Sequence, residues 1–379
     1  MSKQETANNF AAGIARKYLG FAYRRRIADF KRHNPAAFLP RPIEAERSHL
    51  ALWKSLSRHP SLEWYRFFAN VSGRDDARYV SEDIYHSLIE RVLNDMNYAW
   101  VFADKNFYDR HLNPELFPRT ILRNISGEYW DADFRLLSNT RAREIFEAQR
   151  SDLVVKPSID SGGGKNVKVL QHDTRGYCSA DGRIWDFNGI QKAWDRDFLI
   201  QERIFQHADY SAFNPSSVNT VRLMTLRSPV TGQVVPLKGI LRMGIGSIEV
   251  DNEKAGGVSV GILRDGMLND YACTKYGDKL AKHPASNLHF TGYKLPHFDR
   301  MLAVCSEIAS QVPSQRLLSF DMTVDQHGTP RILEINTFGQ GIHFVQTFDG
   351  GLFGEQTGEI IDFCHHCNSS RFKHIRLIA

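Results

Sequence analysis

Three groups of residues in this chain of 379 residues have types and spacings that could do chemistry. The first is Asp321, Glu334 and Asn336. Residues 318–324 read as a strand, Asp325-Gln-His-Gly328 as a turn, and residues 331–336 as the return strand. Pairing Val324 with Arg331 would set Asp321 directly opposite Glu334, with Asn336 on the same face. Like charges directly opposed destabilise a sheet. The flanking Ile332, Leu333 and Ile335 make the strand largely buried rather than a solvent-facing acidic pair. A divalent cation would remove the conflict. Oxygen ligands completed by water and phosphate suit Mg²⁺, which seldom has an all-protein cage.

The second group lies in DLVVKPSIDSGGGKNVKVL, residues 152–170. Leu153, Val154 and Val155 form a strand that delivers Lys156, and Pro157 is expected to end pairing. Ser158, Ser161, Gly162, Gly163, Gly164 and Lys165 follow, and Val167 and Val169 restart a strand. Glycines let backbone N–H groups approach an oxyanion closely. The loop therefore reads either as a phosphate cradle on a β-hairpin or as a mobile hairpin tip with exposed lysines. It is not a Walker loop, because Asn166 follows Gly164-Lys165 and no helix opens there. Nor does it have the spacing of a dinucleotide fingerprint.

The third group is Arg222, Lys238 and Arg242. Residues 221–226 and 234–243 read as a hairpin about Pro229-Val-Thr-Gly232. Arg222 then lies opposite Ile240, and the three cations share one face. They serve a solvated basic face or a polyphosphate. Beside these groups, Phe198-Leu-Ile-Gln201-Glu202-Arg203-Ile204 is an apolar strand with a polar end. An adenine ring needs an apolar slot with a few hydrogen-bonding groups at its edge, and Glu202 could supply one.

Other elements must position these groups. Residues 7–33 carry Phe10, Ile14, Tyr18 and Phe21 at helical spacing, among Arg16, Lys17, Arg24, Arg25, Arg26, Lys31 and Arg32. Such a helix either docks on its own domain with a solvated basic face or lies on an anionic membrane. A second helical stretch carries Leu50, Trp53, Leu56, Trp64 and Phe67. Ser81 caps a third, with Ile84, Leu88, Val92 and Met96 as its buried stripe. Residues 120–125 read as a strand, 136–148 as a helix, and 298–309 as an amphipathic helix. Turn signals at Ser126-Gly127, Asp181-Gly182 and Asp265-Gly266 mark hairpins. The expected division is 1–97 helical, 98–200 with the Gly-rich loop, 201–367 with the metal site, and a tail at 368–379.

Bulk properties narrow the classes. The net charge of +5 favours anionic ligands weakly and does not demand nucleic acid. No run approaches the ~20 apolar residues of a membrane span. The first residues, MSKQETANNF, lack a signal-peptide core. The five cysteines are scattered and odd in number, which fits a reducing, cytoplasmic compartment. Cys364-His-His-Cys367 offers two zinc ligands with no second pair to complete a tetrahedron. His283, His289 and His297 match no zinc spacing.

In this order the motifs resemble the ATP-grasp superfamily, and most closely its sugar-transfer-associated members. The resemblance rests on Lys105, VVKPSIDSGGGKNV, Gln201-Glu202, NPSSVNTVRLMTL, RMGIGSIEVDNEKAGG, HPASNLHFTG and FDM…ILEIN, and spans about residues 100 to 350. It implies an α+β fold in which two α+β subdomains clamp ATP, preceded by a helical N-terminal region. It implies that Lys105 and Lys156 hold phosphates and that Ser161 to Lys165 close over them. Glu202 would take the adenine amino group, with Gln201 and Ile204 alongside and His207 at the ribose. Asp321, Glu334 and Asn336 would hold Mg²⁺. Arg222 and Arg242 would bind the γ-phosphate or an acyl phosphate. Candidates for the acceptor wall are Asn219, Lys238, Asp251, Asn252, Gly256, Gly257 and His283.

Most members of the superfamily are ADP-forming ligases that join a carboxylate to an amine through an acyl phosphate. The resemblance implies the same here, on small-molecule or glycan-linked substrates connected with cell-surface polysaccharide or a related conjugate. Two alternatives stay open. One is a kinase that phosphorylates a small molecule or sugar, with His207, Asp251 or His283 as base. The other is a non-catalytic nucleotide-binding assembly protein, with the basic helix as a partner or membrane contact.

Overall fold

The structure, a computed structural model, describes residues 18, 20–23, 25–57, 59–159, 164, 166–246 and 256–370. Two antiparallel sheets organise it. The first contains β1 (Thr120–Ile125), β2 (Glu128–Trp130), β3 (Leu136–Leu137), β4 (Leu153–Pro157), β5 (Lys168–Asp173), β6 (Gly176–Cys178), β7 (Ile184–Trp185) and β8 (Phe198–Glu202). Their order is β3-β2-β1-β8-β4-β5-β6-β7. Apolar alternation gives this sheet one buried face. Leu153, Val155, Leu170 and Ile200 pack there against Ala142 and Phe146 of the helix Asn139–Glu147 and against Phe187 and Ile190 of the helix Phe187–Trp194.

Two expectations are corrected here. Residues 136 and 137 are not helical: they pair with Trp130 and Tyr129, and Ser138 caps the helix by accepting the Arg141 N–H. Pro157 does not end all pairing. The β4–β5 ladder stops at Val155, but Pro157 still pairs with Phe198 of β8. A missing N–H is tolerated where one neighbouring ladder has already ended.

The second sheet contains β9 (Thr220–Arg227), β10 (Val234–Met243), β11 (Val258–Ile262), β12 (Leu268–Cys273), β13 (Lys279–Leu280), β14 (Leu317–Val324) and β15 (Pro330–Asn336). Their order is β13-β12-β11-β10-β9-β14-β15, so β15 is an edge strand. One face carries Val221, Leu223, Leu241, Phe320, Met322 and Ile335 under the helix Phe298–Ser310. The opposite face carries Met224, Leu226, Ile240 and Leu317. It packs against Phe30, Trp64, Phe67 and Phe68 of the N-terminal helices and against Phe344 and Phe348 of the helix His343–Asp349. The N-terminal helices thus share a core with the second sheet.

The β14–β15 register differs from expectation at the turn and agrees with it at the carboxylates. Val324 pairs with Pro330 and Thr323 with Arg331, yet Asp321 pairs with Glu334 and Ser319 with Asn336. The register shifts by one residue between Met322 and Asp321, which leaves Leu333 as a bulge. The cause is in the pattern. Ile332 and Ile335 lie three apart but both enter the same core, and a period of two cannot do that without an extra residue.

The third N-terminal helix also departs from its predicted course. It starts at Glu82 after Ser81 and passes through a π-helical turn at Tyr85–Ile89. It ends at Leu93, so Met96 belongs to a separate short helix capped by Asp95. Asn94, between the two, is extended and buried.

Candidate functional site

The free edge of β15 faces the first sheet, and the candidate site lies along it. Lys156, at the end of β4, donates from Nζ to Leu333 O at 3.3 Å. Tyr108 Oη donates to Ile335 O at 3.2 Å and accepts from Ile335 N at 3.1 Å. Lys105 Nζ lies 2.7 Å from Glu334 Oε1. Its backbone N–H donates to Ser158 O at 2.9 Å, which ties the segment to the residues after β4. Lys105, Lys156, Gln201, Ile332 and Leu333 line a narrow slot of about 10 Å³ between the two sheets. That is below the ~300–1,000 Å³ usual for small-molecule pockets.

Burial sets the electrostatics. The Lys156 ammonium is pushed down to about 7, first by desolvation and then by Lys105, while Glu334 pulls it back up. Asp321 shows the reverse outcome. Burial pushes its carboxyl up, but Arg222 and Arg242 outweigh that and hold it at about 2. Arg222 grips Asp321 in a two-pronged pair at 2.8 and 2.7 Å, and Arg242 approaches at 3.4 Å. Arg242 is itself aimed by Thr220 Oγ1 at 2.9 and 3.1 Å. The expected pairing of Arg222 with Ile240 is present. Both arginines therefore point from the same face toward β14, where Asp321 meets them.

Two side chains not singled out from sequence hold the strands in place. Asn94 donates from Nδ2 to Leu317 O at 2.7 Å and to Thr337 O at 2.6 Å. Its Oδ1 accepts from Arg316 N at 3.0 Å and Leu317 N at 2.8 Å. All of its hydrogen-bonding capacity thus joins the start of β14 to the end of β15. Glu90, one helical turn earlier, accepts the Gln340 N–H at 3.0 Å. No sequence signal marks either residue in this role, because the backbone groups they hold lie more than 200 positions away.

Asp321, Glu334 and Asn336 form an all-oxygen donor set on two paired strands, and its chemistry fits a hard divalent cation. Among the described residues no group of three or more His, Cys, Asp or Glu side chains could hold a metal, so the amide of Asn336 is needed to complete any set here.

Other predicted residues are placed elsewhere. Gln201, rather than Glu202, lines the slot. Its Nε2 donates to Pro118 O and Thr120 Oγ1, and its buried Oε1 has no protein partner. Glu202 turns into the adjoining outer groove, which Ile204 also lines, and pairs with Arg119 at 2.8 Å. His207 caps the short helix Ala208–Ser211 by accepting from Asp209 N. Asn219 braces its own loop, donating to Tyr210 O and Asn214 O. Lys238 does not join the two arginines: the register shift between Pro236 and Gly239 intervenes, and its Nζ donates to Asp349.

His283 is buried, bonded to Gly244 O and Ser286, and pushed by burial below its ordinary value, so it acts as a brace. Gly256 is exposed with φ +93°, and Gly257 is buried. Ser161, Gly162, Gly163, Lys165, Asp251 and Asn252 lie outside the described residues, and Gly164 has φ +70°. Cys364 is buried within the helix Thr357–Ser370, its thiol pushed up to about 12 by burial.

Comparison with known proteins adds the following. The sequence model of a family described as sugar-transfer associated ATP-grasp matches residues 86–359. No curated protein matches the chain. Similar solved structures include the biotin carboxylase domain of 2-oxoglutarate carboxylase from Hydrogenobacter thermophilus. It is 13% identical over 76% of this chain and 49% of that one, with a TM-score of 0.40. The ATP-grasp ligase PsnB, bound to a minimal precursor, Mg and ADP, is 14% identical over 72% and 62%, with a TM-score of 0.39. Biotin carboxylase from Campylobacter jejuni is 11% identical over 70% and 46%, with a TM-score of 0.39. The chain spans about half to just under two-thirds of the length of these proteins.

Proposed function

The chain belongs to the sugar-transfer-associated ATP-grasp family, and from that premise we propose that it is an ATP- and Mg²⁺-dependent ligase that forms ADP. It joins a carboxylate to an amine through an acyl phosphate, and its substrates are small molecules or glycan-linked groups. The observation that carries this reading is the gathering of basic side chains beside the oxygen donors of β14 and β15. Among the described residues, Lys105, Lys156, Arg222 and Arg242 gather around Asp321 and Glu334. Basic side chains gathered beside oxygen donors suit a metal-bound triphosphate.

In this reading Lys105 and Lys156 bind the α- and β-phosphates beside the slot. Gln201 Oε1, buried without a hydrogen-bond partner among the described residues, accepts from the adenine amino group. Asp321, Glu334 and Asn336 hold Mg²⁺, which when bound neutralises phosphate charge and polarises the phosphoryl group. Arg222 and Arg242 stabilise charge on the γ-phosphoryl as it moves. The γ-phosphorus–oxygen bond to ADP breaks as a bond to the substrate carboxylate forms. The amine nitrogen then attacks the acyl carbon, and phosphate leaves with the carboxylate oxygen. Such transfer depends on positioning and electrostatics more than on a protein nucleophile.

The test is a thermal shift with ATP, with and without Mg²⁺, on the wild type and Glu334→Gln. A ligand that binds only the native state raises Tm by mass action. A Mg²⁺-dependent rise that shrinks in the variant supports the site. Equal rises, or none, overturn the metal assignment. ADP released together with an amide product distinguishes the ligase from a kinase, which would give a phosphorylated product and no amide.

A further inference from the structure

The basic helix of the N-terminal region has two unlike sides. Among its described residues, Tyr23, Ile27 and Phe30 point inward. Ile27 and Phe30 enter the core, and Tyr23 stacks on His86 with ring centroids 4.0 Å apart. Tyr18, Phe21, Ala22, Arg25, Ala28 and Arg32 recur at helical spacing on the other side, and all are exposed. Tyr18 is 70% exposed and Phe21 59%, among the highest values for large apolar side chains here. The Arg25 guanidinium lies 6.0 Å from the Phe21 ring centroid.

Among the described residues, the acids beside this side are already shared with other groups. Asp29, at its margin, is held by Tyr276 Oη at 3.2 Å and faces Lys275, His33 and Arg32 at 3.5 to 3.8 Å. Glu63 is paired with Lys31 at 2.9 Å. The exposed stripe is therefore aromatic and basic, and the acids beside it are already in use. A solvated charged face needs no protruding Phe and Tyr, and an apolar protein contact needs no arginines between them. Aromatic side chains that enter the headgroup layer beside arginines that meet anionic phosphates need both.

We propose that this face is a docking surface for an anionic lipid bilayer. The helix lies flat on the headgroups, with Tyr18 and Phe21 inserted and Arg25 and Arg32 at the phosphates. Among the described residues no helix is long and apolar enough to cross a membrane, so the contact is peripheral. The site on β15 is not needed for it, and the two readings fail separately.

The experiment is flotation of the full chain with vesicles of phosphatidylcholine alone, or with about a third phosphatidylglycerol, at about 0.1 M and about 0.5 M salt. The expected result is binding to the anionic vesicles only, weakened by salt. Arg25→Glu with Arg32→Glu should lower the bound fraction at least about tenfold. Tyr18→Ser with Phe21→Ser should weaken binding even at low salt. Both variants should keep the wild-type melting temperature and nucleotide-induced shift, because neither pair touches the site. Equal binding to neutral vesicles, or wild-type binding by both variants, overturns the proposal. So does retention on a DNA duplex, lost in the arginine variant, without flotation, which would make the face a polyanion site.

Discussion

Glu82 and Asp321 are both buried carboxylates held by arginine, but they belong to clusters of different composition. Around Glu82, Arg26 Nη1 lies at 3.2 Å and His343 Nδ1 at 3.2 Å. Nearby, Glu90 is shared between His86 at 3.2 Å and the Gln340 N–H. Each carboxylate there is answered by a group of the chain itself. Around Asp321 and Glu334, among the described residues, four cations gather, and one of them, Lys156, is pushed down to about 7 by burial and by Lys105. A balanced buried cluster joins elements. A cluster rich in cations attracts an anionic ligand. The two are connected through Glu90 and Asn94, which tie the helical layer to the strands carrying the site.

The largest expected effect is on the cation-rich side. Arg222→Ala should lower ADP formation about 10³-fold, the loss typical when a charge-stabilising donor is removed, while the protein stays folded. Steady-state kinetics check this, and turnover within about tenfold of wild type would show the arginine to be architectural.

On the balanced side the loss should be in stability. Glu82→Ala leaves Arg26 and His343 without their buried anion and should cost about 3–5 kcal/mol by urea unfolding. The nucleotide-induced shift should survive. The pH dependence has a definite sign. Burial raises the Glu82 carboxyl, but His343 and Arg26 outweigh it and leave it below its ordinary 4.5. Its contribution is present above that value and lost as pH falls through the folded one, so the gap between wild type and variant should close in acid.

Lys156→Met separates the clusters most sharply. Burial pushes the folded lysine down to about 7 from its ordinary 10.5, so folding releases a proton between those values and wild-type stability rises with pH across them. The variant should lack that slope, melt about 3–6 °C higher near pH 7, and lose its response to ATP. A lower Tm would mean that Lys156 is a structural partner of Leu333 rather than a poised cation. The smallest effect belongs to neither cluster. Arg119 is 65% exposed beside Glu202, and Arg119→Ala should change stability by no more than about 0.5 kcal/mol in chemical denaturation.

What could be read from the chain follows from the range of the interactions. The Asp321–Glu334 opposition was legible because a hairpin is local and its apolar pattern fixes which residues face inward. The Arg222–Ile240 pairing was legible for the same reason. The bulge at Leu333 is written in the three-residue spacing of Ile332 and Ile335, although the expected turn pairing passed over it. Residue type alone does not separate neighbours on one strand. Gln201 and Glu202 are adjacent and polar, and only the meeting of β8 with Thr120 and Pro118 decides which one faces the slot.

The sequence by itself determined the hairpins β9–β10 and β14–β15, the lysine on β4, the arginines on β9 and β10 and the oxygen donors on β14 and β15. Each is set by residue type and by periodicity within a few residues. Tertiary structure decided everything that depends on closure between distant segments. It brought Lys105 onto Glu334, laid Lys156 across Leu333, and used Asn94 to join Leu317 to Thr337. It also turned His207, Asn219 and His283 into braces. The physical reason is that backbone groups and buried charges must be satisfied by whatever the fold brings near, and that choice is made in space rather than along the chain.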